Sequence, residues 1–250
     1  MSEALIGKSA LITGSASGFG LGIARHFVAA GARVGLMDIN SEATRHAAAE
    51  LGPQAVALTT DITNIAQIKS SVEQFQATGA GVDILVNNAG VGHLPQPLEQ
   101  IESDAFERIL DVNIRSIYLL SSVIVPIMKT QERGCILNIA STAGISPRPG
   151  LTWYNASKGW VITATKSMAI ELAPSKIRVN ALSPVAGDTP LLATFMGGDT
   201  PQLRESFINS IPLGRLSTPD DIAAAAVFLC SDAADLITGV ALEVDGGRCI

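Results

Sequence analysis

The chain has 250 residues, a formal net charge of −6, and 47% hydrophobic against only 16% charged residues. An acidic balance speaks against a nucleic-acid partner, whose phosphates require a basic surface. No run of about 18 uncharged apolar residues stands out as a membrane span, and Met1 to Lys8 lack the basic and apolar regions of a signal peptide.

This length suits one large α/β domain, and no Gly/Ser/Pro-rich linker divides it. Aromatic residues are only 4%, so the core is expected to be built from Ala, Val, Leu and Ile, as in helices covering a buried parallel sheet. Cys135, Cys230 and Cys249 are odd in number and widely spaced. They fit neither a disulfide framework nor a metal knuckle, and reduced thiols of a cytoplasmic protein are expected. His26, His46 and His93 show no ligand spacing, so no metal is expected. No GxSxG elbow occurs, which disfavours a serine hydrolase.

The pattern alternates short apolar runs with helical ones. Ser9–Thr13 predicts a strand that ends in a glycine-rich turn, and Phe19–Ala30 a helix stopped by Gly31. Arg33–Met37 predicts a second strand ending at Asp38. Ser41 is expected to cap a helix that ends at Gly52-Pro53. Ala55–Leu58, Ile65–Ala77 and Val82–Val86 predict strand, helix and strand. A long helix is expected over most of Asp104–Lys129, a strand over Cys135–Ile139, a helix over Thr152–Ala173 and a strand over Ile177–Leu182. Pro184–Arg215 is expected to be an irregular lid over a binding site. Thr218 is expected to cap a helix starting near Pro219, and Gly239–Val244 predicts the last strand. Repeated strand–helix–strand units imply a parallel sheet covered on both faces.

The first turn reads Thr13-Gly14-Ser15-Ala16-Ser17-Gly18-Phe19-Gly20 and joins a strand to a helix. Glycines in that context allow a tight turn and let backbone approach a pyrophosphate seated on the helix N-terminus. Asp38, at the end of the second strand, is placed to grip the hydroxyls of an adenosine ribose. A carboxylate there repels the extra phosphate of NADP. Ser17 is neutral and no Lys or Arg follows Asp38 until Arg45, so NAD is the expected cofactor. Asp61 and Ile62, after the third strand, are candidates for the adenine edge. Asn88, Ala89 and Gly90, after the fourth, are candidates for the floor under the cofactor.

Tyr154 and Lys158 lie four apart at the start of a long helix and share a face. A nearby ammonium and a positive nicotinamide ring favour the phenolate, so the phenol pKa is expected to be lowered. Tyr154 would then exchange a proton with an alcohol or ketone while a hydride moves to or from the ring. Ser141, just after the fifth strand, is a candidate to hold the substrate oxygen. Asn113, a poor helix former inside the long helix, marks a point where a side chain or a water is a candidate link from Lys158 to solvent.

With these residues in place, the chain resembles the classical short-chain dehydrogenase/reductase family over essentially its whole length. The family's phosphate loop matches Thr13, Gly14, Gly18 and Gly20, and its NNAG segment matches Asn87–Gly90. Its catalytic Asn, Ser, Tyr and Lys fall on Asn113, Ser141, Tyr154 and Lys158. The resemblance implies a Rossmann-type seven-stranded parallel sheet and a homotetramer built partly through the two long helices. Its acidic residue at the end of the second strand, here Asp38, implies NAD. The family's Pro-Gly after the sixth strand, followed by a Thr, is matched by Pro184 and Thr189, but Val185 replaces the Gly. Cofactor contacts from Val185 require its φ to be negative.

Leu191, Leu192, Phe195 and Met196 of the lid, with Trp153 and His93-Leu94, suggest a partly apolar substrate pocket. Each is also open to a packing role. Trp160 reads as interface packing, and Arg148 as either a surface residue or a contact to a substrate carboxylate. The favoured function is an NAD-dependent dehydrogenase of a small secondary alcohol, cyclic alcohol or sugar. A 3-oxoacyl reductase acting on a carrier or CoA thioester, and a non-enzymatic NAD-binding sensor, are the alternatives.

Overall fold

A computed structural model describes residues 3–79 and 81–250; Met1 and Ser2 of the Met1–Lys8 segment lie outside them. Seven strands form one parallel sheet: β1 (Ser9–Thr13), β2 (Arg33–Asp38), β3 (Ala55–Thr59), β4 (Ile84–Asn87), β5 (Gly134–Ile139), β6 (Ile177–Pro184) and β7 (Ala241–Val244). Their order across the sheet is β3-β2-β1-β4-β5-β6-β7. The order reverses between β1 and β4, and in open α/β sheets ligands bind beyond the carboxyl ends of the strands at such a reversal.

The helices are α1 (Gly18–Ala29), α2 (Ser41–Leu51), α3 (Ile65–Gln76), α4 (Ser103–Ile109), α5 (Ser116–Thr130), α6 (Thr152–Leu172), α7 (Leu192–Met196), α8 (Pro201–Asn209) and α9 (Pro219–Cys230). Strand side chains alternate between the two faces, and the core divides accordingly. Ala10, Ile12, Val34, Leu36, Val86 and Leu137 pack with Ile23 and Phe27 of α1 and Ile222, Ala226 and Val227 of α9. Leu11, Leu58, Leu85, Ile136 and Val179 pack on the other side with Phe75 of α3, Leu120, Ile124 and Met128 of α5, and Ala169 and Leu172 of α6. The run Ser103–Thr130 is long and apolar enough by composition to cross a membrane; here Ile117, Leu120, Ile124 and Met128 are buried in the protein.

Several local expectations are corrected. Asn40, not Ser41, caps α2, its side chain accepting from the Ala43 amide. The helix expected over Asp104–Lys129 is interrupted by a π-helical turn at Leu110–Arg115. Val82 is buried but precedes β4, and β6 runs on to Pro184. The lid segment is not irregular throughout, since it carries α7 and α8. Pro201 opens α8 at a position where a missing N–H costs nothing, behind the Thr200 cap. Thr218 caps α9 as expected, in a reciprocal capping box with Asp221.

Two buried polar rows fix the long helix α6 against the sheet. Asn87 donates to Asn138 (2.8 Å), Asn138 donates to Thr165 (2.9 Å), and Thr165 donates back to the Val161 carbonyl (2.8 Å). Nearer the carboxyl edge, Asn113 accepts from the Val91 amide (2.9 Å) and donates to the Val91 carbonyl and to Ser157 (3.0 Å each). Buried amides that satisfy one another in this way specify a single arrangement. They set where residues 154 and 158 stand.

Candidate active site

The site is assembled from the carboxyl ends of the strands. The turn after β1 comes first. A Cβ on Gly20 would stand 2.2 Å from the Gly14 carbonyl oxygen and 2.5 Å from Asn88 Nδ2. Only glycine lets α1 approach that closely. Asn88 then clamps the turn to β4, donating to the carbonyls of Thr13 (2.8 Å) and Gly14 (3.0 Å). The Thr13 hydroxyl accepts from the amides of Asn88 and Ala89, both at 3.0 Å.

Ser17 precedes α1 with extended backbone and makes no side-chain cap, and the first turn holds no acidic residue. The Ser15 hydroxyl is fully buried without a partner. An uncapped helix N-terminus beside an orphaned hydroxyl suits a phosphate group. The residues present therefore fit the pyrophosphate of a dinucleotide.

A cavity of about 520 Å³ runs from this turn across the sheet edge. Gly14, Ser17, Gly18, Phe19, Asp38, Asp61, Ile62, Asn88, Ala89, Gly90, Ser141, Tyr154, Lys158, Pro184, Val185 and Thr189 all line it. Asp38 is aimed by two backbone amides, those of Ala16 (3.1 Å) and Asn40 (3.0 Å). Asp61 is held by the amide and hydroxyl of Thr63, leaving its second oxygen outside that turn. Val185 keeps a negative φ, since Glu132 and Lys176 are the only non-glycine residues at positive φ among those described. Replacement of glycine at this point therefore introduces no backbone strain. Phe19 packs on Gly187 and Thr189 approaches Gly18, so the start of the lid lies against the glycine-rich turn.

At the opposite end Tyr154 and Lys158 project from the first turns of α6, and both are buried. The Lys158 ammonium donates to the Ile139 carbonyl at the end of β5 (2.8 Å) and lies 5.9 Å from the Tyr154 ring centre. Burial dominates both groups. It pushes the Tyr154 phenol up to about 12, against the opposing influence of the Ser141 hydroxyl and the Arg148 charge. It pulls Lys158 down to about 8. The expectation of a lowered phenol pKa is thus reversed for the protein without a cofactor's positive ring, because desolvation penalises the charged form.

Asn113 does not line the cavity. Its amide is committed to Val91 and Ser157, and it makes no hydrogen bond to Lys158. Of the two links expected from Lys158 to solvent at this point, a side chain or a water, the direct side-chain one is therefore not formed. Gly20 also stays behind the wall, where it serves close packing. On the substrate side Leu191, Leu192 and Phe195 line the cavity, and Phe195 stacks on Tyr154 with ring centres 4.6 Å apart. Four other expected wall residues do not line it. Trp153 packs edge-on against Phe106 (5.2 Å), Met196 and His93 are buried elsewhere, and Leu94 is exposed. Trp160 lies on the outer face of α6.

Phe207, Leu151, Val112 and Arg108 line the cavity without having been singled out from the sequence. Phe207 lies on α8, inside a segment whose prolines and glycines mark it as irregular in the sequence. Its amphipathic spacing behind the Thr200-Pro201 start was the available signal.

A family model described as enoyl-(acyl carrier protein) reductase matches residues 14–248. The chain is 44% identical to 4-formylbenzenesulfonate dehydrogenase of Comamonas testosteroni, with 96% of each chain covered. It is similar at 51% identity and a TM-score of 0.94 to a crystal structure of 3-ketoacyl-(acyl-carrier-protein) reductase from Brucella melitensis complexed with NADH, covering 98% of this chain and all of that one. A short-chain type dehydrogenase/reductase from Mycobacterium marinum superposes with a TM-score of 0.90 at 32% identity, covering 98% and 96% of the two chains. Sheet order, glycine-rich turn and the paired Tyr154 and Lys158 agree with these matches, and the chain is a member of the classical short-chain dehydrogenase/reductase family, a nicotinamide-dependent oxidoreductase.

Proposed function

We propose that the protein is an NAD-preferring dehydrogenase that interconverts a small secondary alcohol and its ketone. The observation that carries this reading is the grouping of half-buried Ser141 with buried Tyr154 and Lys158, at the end of the cavity opposite Asp38. A bound nicotinamide supplies the hydride acceptor or donor. Gly14, Ser17, Gly18, Phe19 and the N-terminus of α1 hold its pyrophosphate. Asp38 grips the adenosine ribose, with Asp61 and Ile62 at the adenine. Asn88, Ala89 and Gly90 form the floor, Lys158 and Tyr154 bind the nicotinamide ribose, and Pro184, Val185 and Thr189 close the carboxamide side.

Tyr154 is the proton-transfer group. As a neutral phenol it holds the proton that a ketone oxygen requires. In the oxidative direction it must accept one, and the Ser141 hydroxyl and the charges of Lys158 and Arg148 favour the phenolate then needed. Ser141 orients the substrate oxygen. Asn113 acts through Val91 and Ser157 as a positioning residue. Asp38 supports NAD because a carboxylate at this position repels a 2′-phosphate, and Arg148 and Lys158 lie at the Tyr154 end of the cavity. The relative named for 4-formylbenzenesulfonate supports a compact carbonyl compound as substrate.

A 3-oxoacyl thioester reductase is the second reading, favoured by the Brucella melitensis relative and by the apolar cavity wall. The net charge of −6 works against an acidic carrier. A sensor would need no such conjunction of Ser141, Tyr154 and Lys158. We also propose a homotetramer formed partly through α5 and α6, supported by their exposed Tyr118 (66%), Trp160 (40%) and Ile170 (80%).

Tyr154→Phe is expected to lower kcat for alcohol oxidation by roughly 10²- to 10⁴-fold, with NADH binding retained in a fluorescence titration; full activity would remove Tyr154 from the chemistry. Asp38→Ala is expected to narrow the preference for NADH over NADPH by about tenfold or more, and an unchanged ratio of dissociation constants would show that Asp38 does not contact the ribose. Without cofactor, burial disfavours the charged Lys158, so the folded state sheds this proton near pH 8 while the unfolded chain keeps it until about 10.5. Stability therefore rises with pH across that window. Relative to Lys158→Met, the wild type should gain about 2 kcal/mol between pH 7 and 9.5 in urea unfolding; parallel curves would refute a strained ammonium. Light scattering at micromolar concentration should give the mass of four chains, and a monomer would refute the assembly.

A further inference from the structure

Asp38 and Asp61 follow β2 and β3, at the end assigned to the adenosine, whereas Arg148 and Lys158 stand beside Tyr154 at the other. Lys158 is engaged by the Ile139 carbonyl. The substrate end thus presents arginine without a carboxylate among its lining residues, in a chain whose net charge is −6.

Arg148, like Arg33 and Arg248, keeps a guanidinium nitrogen out of solvent without a partner, and of the three it alone lines the cavity. Arg25, Arg115, Arg133, Arg204 and Arg215 each pair with an Asp or Glu. Arg148 makes no ion pair among the described residues, and its Nη2 is out of solvent without any partner. The guanidinium is held in place. Its carbon lies 4.2 Å above the Phe207 ring of α8. Its backbone carbonyl accepts from Asn155 Nδ2 (2.8 Å), and prolines at 147 and 149 stiffen the loop on both sides. Burial and the neighbouring charge of Arg248 both work against its charged form. A desolvated cation beside a second cation is costly unless an anion completes it. Arg148 also lies close enough to Tyr154 for their charges to interact.

We propose that Arg148 is the anchor for an anionic group of the substrate, which is a compact apolar-bodied alcohol or ketone carrying a carboxylate or sulfonate at the end remote from its reacting carbon. The guanidinium fork matches the oxygens of either group. Leu151, Leu192, Phe195 and Phe207 enclose the apolar body, and Tyr154 meets the oxygen at the reacting carbon. The inference rests on the dehydrogenase reading above and adds the substrate's chemical class.

The test uses the full chain saturated with NADH and titrated calorimetrically with 4-acetylbenzoate, 4-acetylbenzenesulfonate, the neutral 4-acetylbenzamide and acetoacetyl-CoA. The wild type should bind at least one aryl anion about tenfold or more tighter than the amide. Arg148→Gln should erase that difference with NADH affinity and melting temperature unchanged, and Arg148→Lys should restore part of it. Equal affinities for anions and amide, binding of none of the aryl compounds, or a difference that survives in Arg148→Gln would overturn the proposal. Arg148-dependent binding of acetoacetyl-CoA alone would also overturn it, in favour of a carrier phosphate. NADH oxidation in the same mixtures separates the two readings. Turnover of the amide without anion preference would leave the dehydrogenase standing and remove the anchor. Arg148-dependent anion binding with no turnover of any ketone would leave the anchor standing and weigh against the dehydrogenase.

Discussion

The contact between α1 and the ends of β1 and β4 is the constraint from which the site follows. At Gly14, Gly20 and Asn88 the backbone of a helix and two strands meet with no space for a side chain between them. Thr13 and Asn88 satisfy the carbonyls and amides that such an approach would otherwise strand. This places the open end of α1 at the point where the strand order reverses, and it fixes the depth of the cavity. Everything placed farther along the sheet edge is measured from there.

Along that edge the protein separates two electrostatic tasks. At one end backbone amides aim Asp38. At the other, ionisable side chains are taken out of water, and their protonation is governed by desolvation more than by one another. Tyr154 is therefore poised as the neutral phenol until positive and polar groups gather around it. Filling the cavity changes that balance, which couples occupancy to proton affinity.

Much of this was legible in the residues. Short apolar runs marked all seven strands, and the glycine-rich turn, Asp38, Asn88, Ser141, Tyr154 and Lys158 lie where their spacing placed them. The failures have physical causes. Asn40 displaced Ser41 as a cap because both are cap residues, and which side chain turns back depends on backbone geometry that neighbours decide. The direction of the Tyr154 shift required burial, which spacing does not contain. Trp153 and Met196 left both a cavity role and a packing role open, since hydrophobicity does not say which wall a side chain joins, and the structure gives them packing. Arg148 left two readings open, since only its surroundings show that no acid among the described residues pairs with it.

The π-helical turn at Leu110–Arg115 carries a meaning beyond the local hydrogen bonds of Asn113. A π turn holds one residue more than the helix needs to advance the same distance. Each α-helical residue rotates the chain by about 100°, so this surplus residue sets the phase of all that follows. With it, Ile117, Leu120, Ile124 and Met128 face the sheet and Tyr118 faces outward. Loss of one residue here would turn α5 by over a quarter of a revolution, carrying its apolar stripe away from the core and its exposed face into it. The same short stretch thus seats an amide behind the wall of the site and decides which surface the helix offers to the outside.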